Sequence, residues 1–321
     1  MKRNYMLIVL ARAALMFANG LLAWYLPLVI KERFGPGILG LTFSMASMLS
    51  TAVGLLGGVL GDNIGRKPVI VLDSILTFSG IVFFVLGYTA EPVLLLLSAL
   101  ALYGFARIGD AVIETVVYES VDEEFLGRAL SIMFTAGAIA ASMGSIILGH
   151  IIKQAAEPAA ILLVTSSSLY MLTSILLEET IAEKAGVLGR VSLVYKLKDA
   201  IRTLTDGSRL VKEGILLPLI ITVLMCLEVG STLYLYPAFM KEVKGFTQDI
   251  MSIIYGVIPL LQAFIYPFAG VIVDKVGAKK AVSLTLFLQA IALTCFVTIA
   301  EPLYAGLALV IASGIGAVYN V

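Results

Sequence analysis

Charge is scarce in this chain of 321 residues: Asp, Glu, Lys and Arg make up only 14%, against roughly 25% in soluble proteins. Histidine occurs once, as His150, and cysteine twice, as Cys226 and Cys295. A single histidine leaves little for a zinc site or for histidine-based acid–base chemistry. Two cysteines, each inside an apolar run, give neither a disulfide framework nor a metal set. An excess of either sign is also missing, because 22 basic residues cancel 22 acidic ones. The basic surplus of a nucleic-acid binder is therefore absent. No nucleophile–base pair or metal constellation stands out, so neither an enzyme nor a bound cofactor is expected. No nucleotide-binding domain is present, which excludes an ATP-driven pump.

Apolar residues are what the chain has, at 60% of the total and a mean hydropathy of +1.02. Such a chain cannot cover a globule with polar surface, and it belongs in lipid. Lys2 and Arg3 precede an apolar run that continues to Ile30, too long for a signal peptide and long enough for a first membrane helix.

About 20 apolar residues span the hydrocarbon core. Ten segments qualify, at 5–30, 38–60, 69–88, 93–117, 129–150, 159–177, 215–237, 250–272, 281–299 and 303–321. Connections are short except for residues 178–214, which hold Lys184, Arg190, Lys196, Lys198, Arg202, Arg209 and Lys212. Leu193, Leu197, Ile201 and Leu204 recur there at helical spacing, which fits an amphipathic helix on the membrane surface or a solvated linker. With the N-terminus inside, fifteen basic residues fall on inner segments and five on outer loops (Lys31, Arg33, Lys153, Lys241 and Lys244). The positive-inside rule thus puts N-terminus and linker in the cytoplasm.

The two sides of the linker repeat each other. Gly58-Val59-Leu60-Gly61-Asp62-Asn63-Ile64-Gly65-Arg66-Lys67 follows span two, and Gly270-Val271-Ile272-Val273-Asp274-Lys275-Val276-Gly277-Ala278-Lys279 follows span eight. Gly, Val, Asp, Gly and Lys recur at equal offsets, with Asp62 and Asp274 212 residues apart. Gly65 and Gly277 suit a left-handed turn where a helix stops. Asp62, Arg66 and Lys67 suit a charge cluster that is broken and remade as helices slide. An ordinary positive-inside turn explains one such loop less well once it recurs in register.

Segment 58–67 resembles the signature loop of the major facilitator superfamily, G-x-L-A-D-R-x-G-R-K, with Gly61 for Ala and Asn63 for Arg. Arg107 resembles the arginine of that family's second motif, and Glu119 and Arg128 resemble the charges flanking its next cytoplasmic turn. The resemblance implies an all-α membrane bundle of two pseudo-symmetric halves, here 1–178 with six helices and 215–321 with four, joined by a linker at 179–214. It implies a secondary transporter that moves a small molecule by alternating access across the cytoplasmic membrane, expected as a monomer in the bilayer and with proton coupling. Asp62, Gly65, Arg66, Lys67, Glu119, Arg128, Asp274, Gly277 and Lys279 would form its conformational gate. Two departures stand out. The Gly-Pro antiport marker is missing from span five, and the chain ends at Val321 in a tenth span, so spans eleven and twelve of the family pattern are expected to be lacking. A non-transporting sensor, an assembly protein or an inactive carrier is the alternative.

Ionisable groups at depth are costly and mark sites. They are Arg12 in span one, Arg107, Asp110 and Glu114 in span four, and Glu228 in span seven, whereas Asp73 and His150 are expected at helix ends within reach of water. On a regular helix, residues 107 and 114 lie roughly 20° apart and residue 110 about 60° from 107, so all three share a face. Arg107 and Asp110 form either a lock between helices or a cavity site whose carboxylate takes a proton. Glu228 has no partner in its own helix; desolvation penalises its charged form, which makes it the candidate proton carrier. Asn19 adds a polar companion to this cavity set.

Overall fold

A computed structural model of the chain describes residues 2–122, 125–180 and 234–316. Among these residues the backbone forms helices and turns and no strand, as lipid requires of a chain whose backbone groups must be satisfied within each segment. The linker at 181–214, most of span seven and the end of span ten lie outside the described residues.

The first helical stretch, Lys2–Ile64, has 63 residues. As one rod it would measure roughly 95 Å, about three hydrocarbon cores. It is two spans, because Gly35 (φ 84°, ψ 169°) leaves the helical region and Pro36 follows with no N–H to give. The two helices are α1 (2–34) and α2 (36–64). Their junction is far tighter than the seven-residue loop that hydropathy suggests. Then come α3 (Arg66–Thr89), α4 (Leu94–Ser120), α5 (Leu126–Gln154) and α6 (Ala156–Leu176). The second half contributes α7 (234–242), α8 (Gln248–Val276), α9 (Ala278–Thr298) and α10 (Pro302–Gly316). Among the described residues seven helical stretches, the doubled first one included, are long and apolar enough to cross a membrane, and α10 is a shorter apolar helix.

Contacts at the helix ends give the topology. At one end, Arg3 meets Glu178 at 2.6 Å, Arg66 meets Glu119 at 3.3 Å, and Tyr5 Oη donates to the Ala129 carbonyl. At the other end, the Tyr25 and Tyr88 hydroxyls meet at 3.0 Å, and Lys31 and Glu32 pair with Glu242 and Lys241. Successive helices of the first half therefore run up and down between an N-terminal face and a far face. On the far face Lys244 Nζ donates to the carbonyls of Val297 and Ile299 at 2.8 and 2.6 Å, which satisfies acceptors left over where α9 ends.

Helix α5 lies between the halves, and its small residues explain how. A Cβ on Gly144 would stand 1.8 Å from the Phe17 carbonyl oxygen on α1, so no larger residue fits. On its other side Ser145 joins α1 to α8: Trp24 Nε1 donates to Ser145 Oγ at 3.1 Å, which donates to the Ser252 carbonyl at 3.0 Å. The outer surface is apolar, with Met48, Phe264, Phe268 and Leu303 all exposed, as a bilayer-facing belt must be.

Opposite faces give a direct test. In a protein with Cys226 and Cys295 replaced by serine, Pro68→Cys and Glu91→Cys, both at exposed positions, are expected to react with an impermeant maleimide from opposite sides of the membrane. Labelling of both from one side overturns the topology.

Candidate functional site

The duplicated motif forms two matching turns. Gly65 has φ 107° and Gly277 has φ 86°, a region closed to residues with a Cβ. Each is a single residue between helices, so α2 passes to α3 and α8 to α9 with no loop. The side chains of Asp274 and Lys279 lie outside the described ones.

Around Gly65 the charges form a network within the first half. Arg66 Nη1 donates to Asp62 at 2.7 Å and Nη2 to Glu119 at 3.3 Å, while its Nε is buried without a partner among the described residues. A partly satisfied network is held less firmly than a complete one. Two members were not apparent from the sequence. Glu179 accepts the backbone N–H groups of Arg66 at 2.9 Å and Lys67 at 3.2 Å, so it caps the N-terminus of α3. Thr180 donates its hydroxyl to Glu119. Glu179 follows α6 in sequence, 113 residues from the Arg66 whose N–H it accepts, and no local pattern announces that. Arg128 stands apart from this network, exposed, with its guanidinium 6.0 Å from the Phe125 ring.

The deep charges gather on α1 and α4. Arg107 Nη1 donates to Asp110 Oδ2 at 2.9 Å, and Arg12 lies 3.8 Å from Asp110 Oδ1. Glu114 is exposed one turn further along α4, within the field of Arg12. Asn19, Arg107 and Asp110 line one cavity with Leu15, Met16, Thr77, Leu102, Tyr103 and Ala106. Phe43, Tyr103 and Tyr234 close it towards the far face: Phe43 stacks on Tyr234 at 4.0 Å, and Tyr103 meets both edge-on at 5.4 and 5.5 Å. Because Tyr234 belongs to α7, this cover joins the two halves. Glu228 lies outside the described residues.

Two expectations need correction. Helix α4 is not regular: a 3-10 turn at Phe105–Arg107 interrupts it, and the α-helix resumes at Asp110. Arg107 and Asp110 meet across that break rather than along a continuous helix face. Asp73, expected within reach of water, is 1% exposed. Its Oδ1 accepts the Gly109 N–H at 3.0 Å and its Oδ2 the Tyr170 hydroxyl at 2.5 Å. Span three thus does carry a charge at depth, and it ties α3 to α4 and α6. Gly109 must stay bare, since a Cβ there would meet the Asp73 carboxyl carbon at 2.8 Å.

The sequence profile described as Major Facilitator Superfamily matches residues 8–321. No curated protein matches the chain. Among solved structures, the chain is similar to the human organic anion transporter MFSD10 (TM-score 0.73, 18% identity, covering 99% of this chain and 83% of that one). It is similar also to the partially occluded inward-open xylose transporter XylE from E. coli (TM-score 0.70, 15% identity, 99% and 82% covered). The nucleoside transporter NupG is a third such structure (TM-score 0.69, 15% identity, 98% and 80% covered). At these identities the likeness is one of fold.

Removing the Asp73 carboxyl strands a buried hydroxyl and a buried N–H at once. Asp73→Ala is expected to destabilise the protein by about 1–3 kcal/mol, the cost of leaving such groups unpaired. Tyr170→Phe should cost less, since one acceptor of Asp73 then loses one donor and Gly109 keeps its partner. Thermal unfolding in detergent with both variants measures the order, and equal or absent effects would refute the assignment.

Proposed function

This chain belongs to the Major Facilitator Superfamily, whose members are multi-pass membrane transporters, and we propose that it carries a small molecule across the cytoplasmic membrane by alternating access, coupled to a proton. The observation that carries this reading is the placement of contacts between the halves among the described residues. On the far face the pairs Lys31–Glu242 and Glu32–Lys241 and the stack of Phe43 on Tyr234 cross from one half to the other. On the N-terminal face the bonds of Arg66 to Asp62 and Glu119 stay within the first half. The basic residues put the N-terminal face in the cytoplasm, so the molecule is closed to the outside in this state.

In the reverse state the far-face contacts open, and the Asp62–Arg66–Glu119 cluster latches the cytoplasmic side. Deep carboxylates supply the proton sites: Asp110 when Arg107 is drawn from it, and Glu228 in span seven. The similar structures are of transporters for an organic anion, xylose and a nucleoside, so a first uptake panel takes one labelled solute of each kind.

Purified protein in proteoliposomes tests this. Asp62→Asn is expected to lower uptake at least about tenfold, a rise of about 1.4 kcal/mol in the transport barrier, with the protein still folded. Full uptake in that variant makes the loop ordinary punctuation. Glu228→Gln should abolish accumulation driven by a proton gradient and spare solute exchange, which releases no net proton. Unchanged gradient-driven accumulation removes Glu228 from the mechanism and leaves Asp110 and Glu114 as the carriers.

A further inference from the structure

The transport reading leaves the chemistry of the solute open, and the cavity beside Arg107 narrows it. Two of the hydroxyls lining it are anomalous. Thr77 and Tyr103 are 2% and 7% exposed, and among the described residues neither Thr77 Oγ1 nor Tyr103 Oη has a hydrogen-bond partner. Buried polar groups in folded proteins are almost always paired, because desolvation without a partner is unfavourable. Two unpaired hydroxyls on one cavity mark a place where the partner is something that comes and goes.

The charges decide what that partner is. Both oxygens of Asp110 are engaged, Oδ2 by Arg107 at 2.9 Å and Oδ1 by Arg12 at 3.8 Å. Two guanidiniums thus share one carboxylate. Arg107 spends only Nη1 on it, and among the described residues it has no other partner. Its side chain is 40% exposed and lines the cavity. A guanidinium has five N–H donors, so most of the fork is unspent. The spare capacity of this wall is therefore donor capacity: the guanidinium edge and the two hydroxyls. Asn19, on the same wall, donates or accepts.

Among the described residues the other carboxyls nearby do not change the sign. Asp73 sits behind the wall, with both oxygens given to Gly109 and Tyr170. Glu114 does not line the cavity and lies within the field of Arg12. If Arg107 turns to a ligand, Asp110 keeps Arg12 at 3.8 Å or takes the proton of the transport reading, so the exchange leaves no charge on the wall unmatched.

We infer that this cavity is a subsite for a small organic monocarboxylate. Its carboxylate takes the free edge of Arg107, for which planar bidentate pairing is the natural geometry, together with the Tyr103 and Thr77 hydroxyls. Its carbon body lies against Met16 and Leu102, which line the same cavity. The inference rests on the transport reading for its purpose but not for its test.

The test is equilibrium binding to the detergent-purified full chain, with labelled benzoate, pyruvate and butyrate, each compared with its uncharged amide. At least one carboxylate is expected to bind about tenfold or more tightly than its amide, the scale of one charge-assisted hydrogen bond over a neutral one. Arg107→Gln should erase that preference, and Tyr103→Phe should weaken the carboxylate severalfold. The inference is overturned if no carboxylate binds below about 10 mM (a free energy near 3 kcal/mol), if the amides bind as well, or if the preference survives Arg107→Gln. Should Arg107→Gln fail to fold, Tyr103→Phe and Thr77→Val replace it, and unchanged carboxylate affinity in both overturns the site. Carboxylate binding without uptake into proteoliposomes sinks the transport reading and leaves the anion site standing. Uptake of an amide in preference to its acid does the reverse.

Discussion

A break in a membrane helix strands a backbone donor, and a carboxylate in lipid strands a charge. At Gly109 and Asp73 each resolves the other, through one hydrogen bond of 3.0 Å. Helix α4 is interrupted between Tyr103 and Asp110, and an interruption in hydrocarbon persists only where something else satisfies the freed groups. Asp73 does so from α3, and Tyr170 fixes the carboxyl from α6. The pairing of Arg107 with Asp110 across the break follows from this, as does the position of Tyr103 at the head of the cavity. The interior of the first half is thus arranged by a group that touches none of the cavity itself.

Apolar packing does different work in this molecule from that in a soluble one. Lipid is as apolar as leucine, so burying leucine does not draw helices together; close backbone contact and a few hydrogen bonds do. Helix α5 presents glycine, alanine and serine to α1 on one side and to α8 on the other, and the Trp24–Ser145–Ser252 chain runs through it. Contacts of this kind slide with little change in buried apolar area. The far-face ion pairs and the aromatic stack are of another kind, since each holds only at one distance.

Much of the fold was legible because lipid imposes a length. Every span of the first half lies within a few residues of its apolar run, and the two glycine turns were readable from the repeat alone. The pairing of Arg107 with Asp110 was also readable from their spacing, whereas Arg12 beside Asp110 was not. What escaped were relations between distant residues. Asp73 looks like a helix-end aspartate because only four residues separate it from Val69 at the start of the apolar run, and its partner Tyr170 is 97 residues away. The break in α4 left no proline as a sign; its glycines, Gly104 and Gly109, read equally well as packing residues. Glu179 looked like the start of a charged linker, whereas its carboxylate is spent on the N-terminus of α3.

That last contact has a mechanical consequence. The polypeptide leaves the first half at Glu178, Glu179 and Thr180, and all three are fastened there: to Arg3 and Asn4, to the backbone of Arg66 and Lys67, and to Glu119. The tether between the halves is therefore anchored on the charge cluster itself and not on the free end of α6. A pull on the chain beyond Thr180 would reach the turn at Gly65 through these bonds before it reached α6. The exit of the chain from the first half and the charge cluster at Gly65 are thus mechanically one unit.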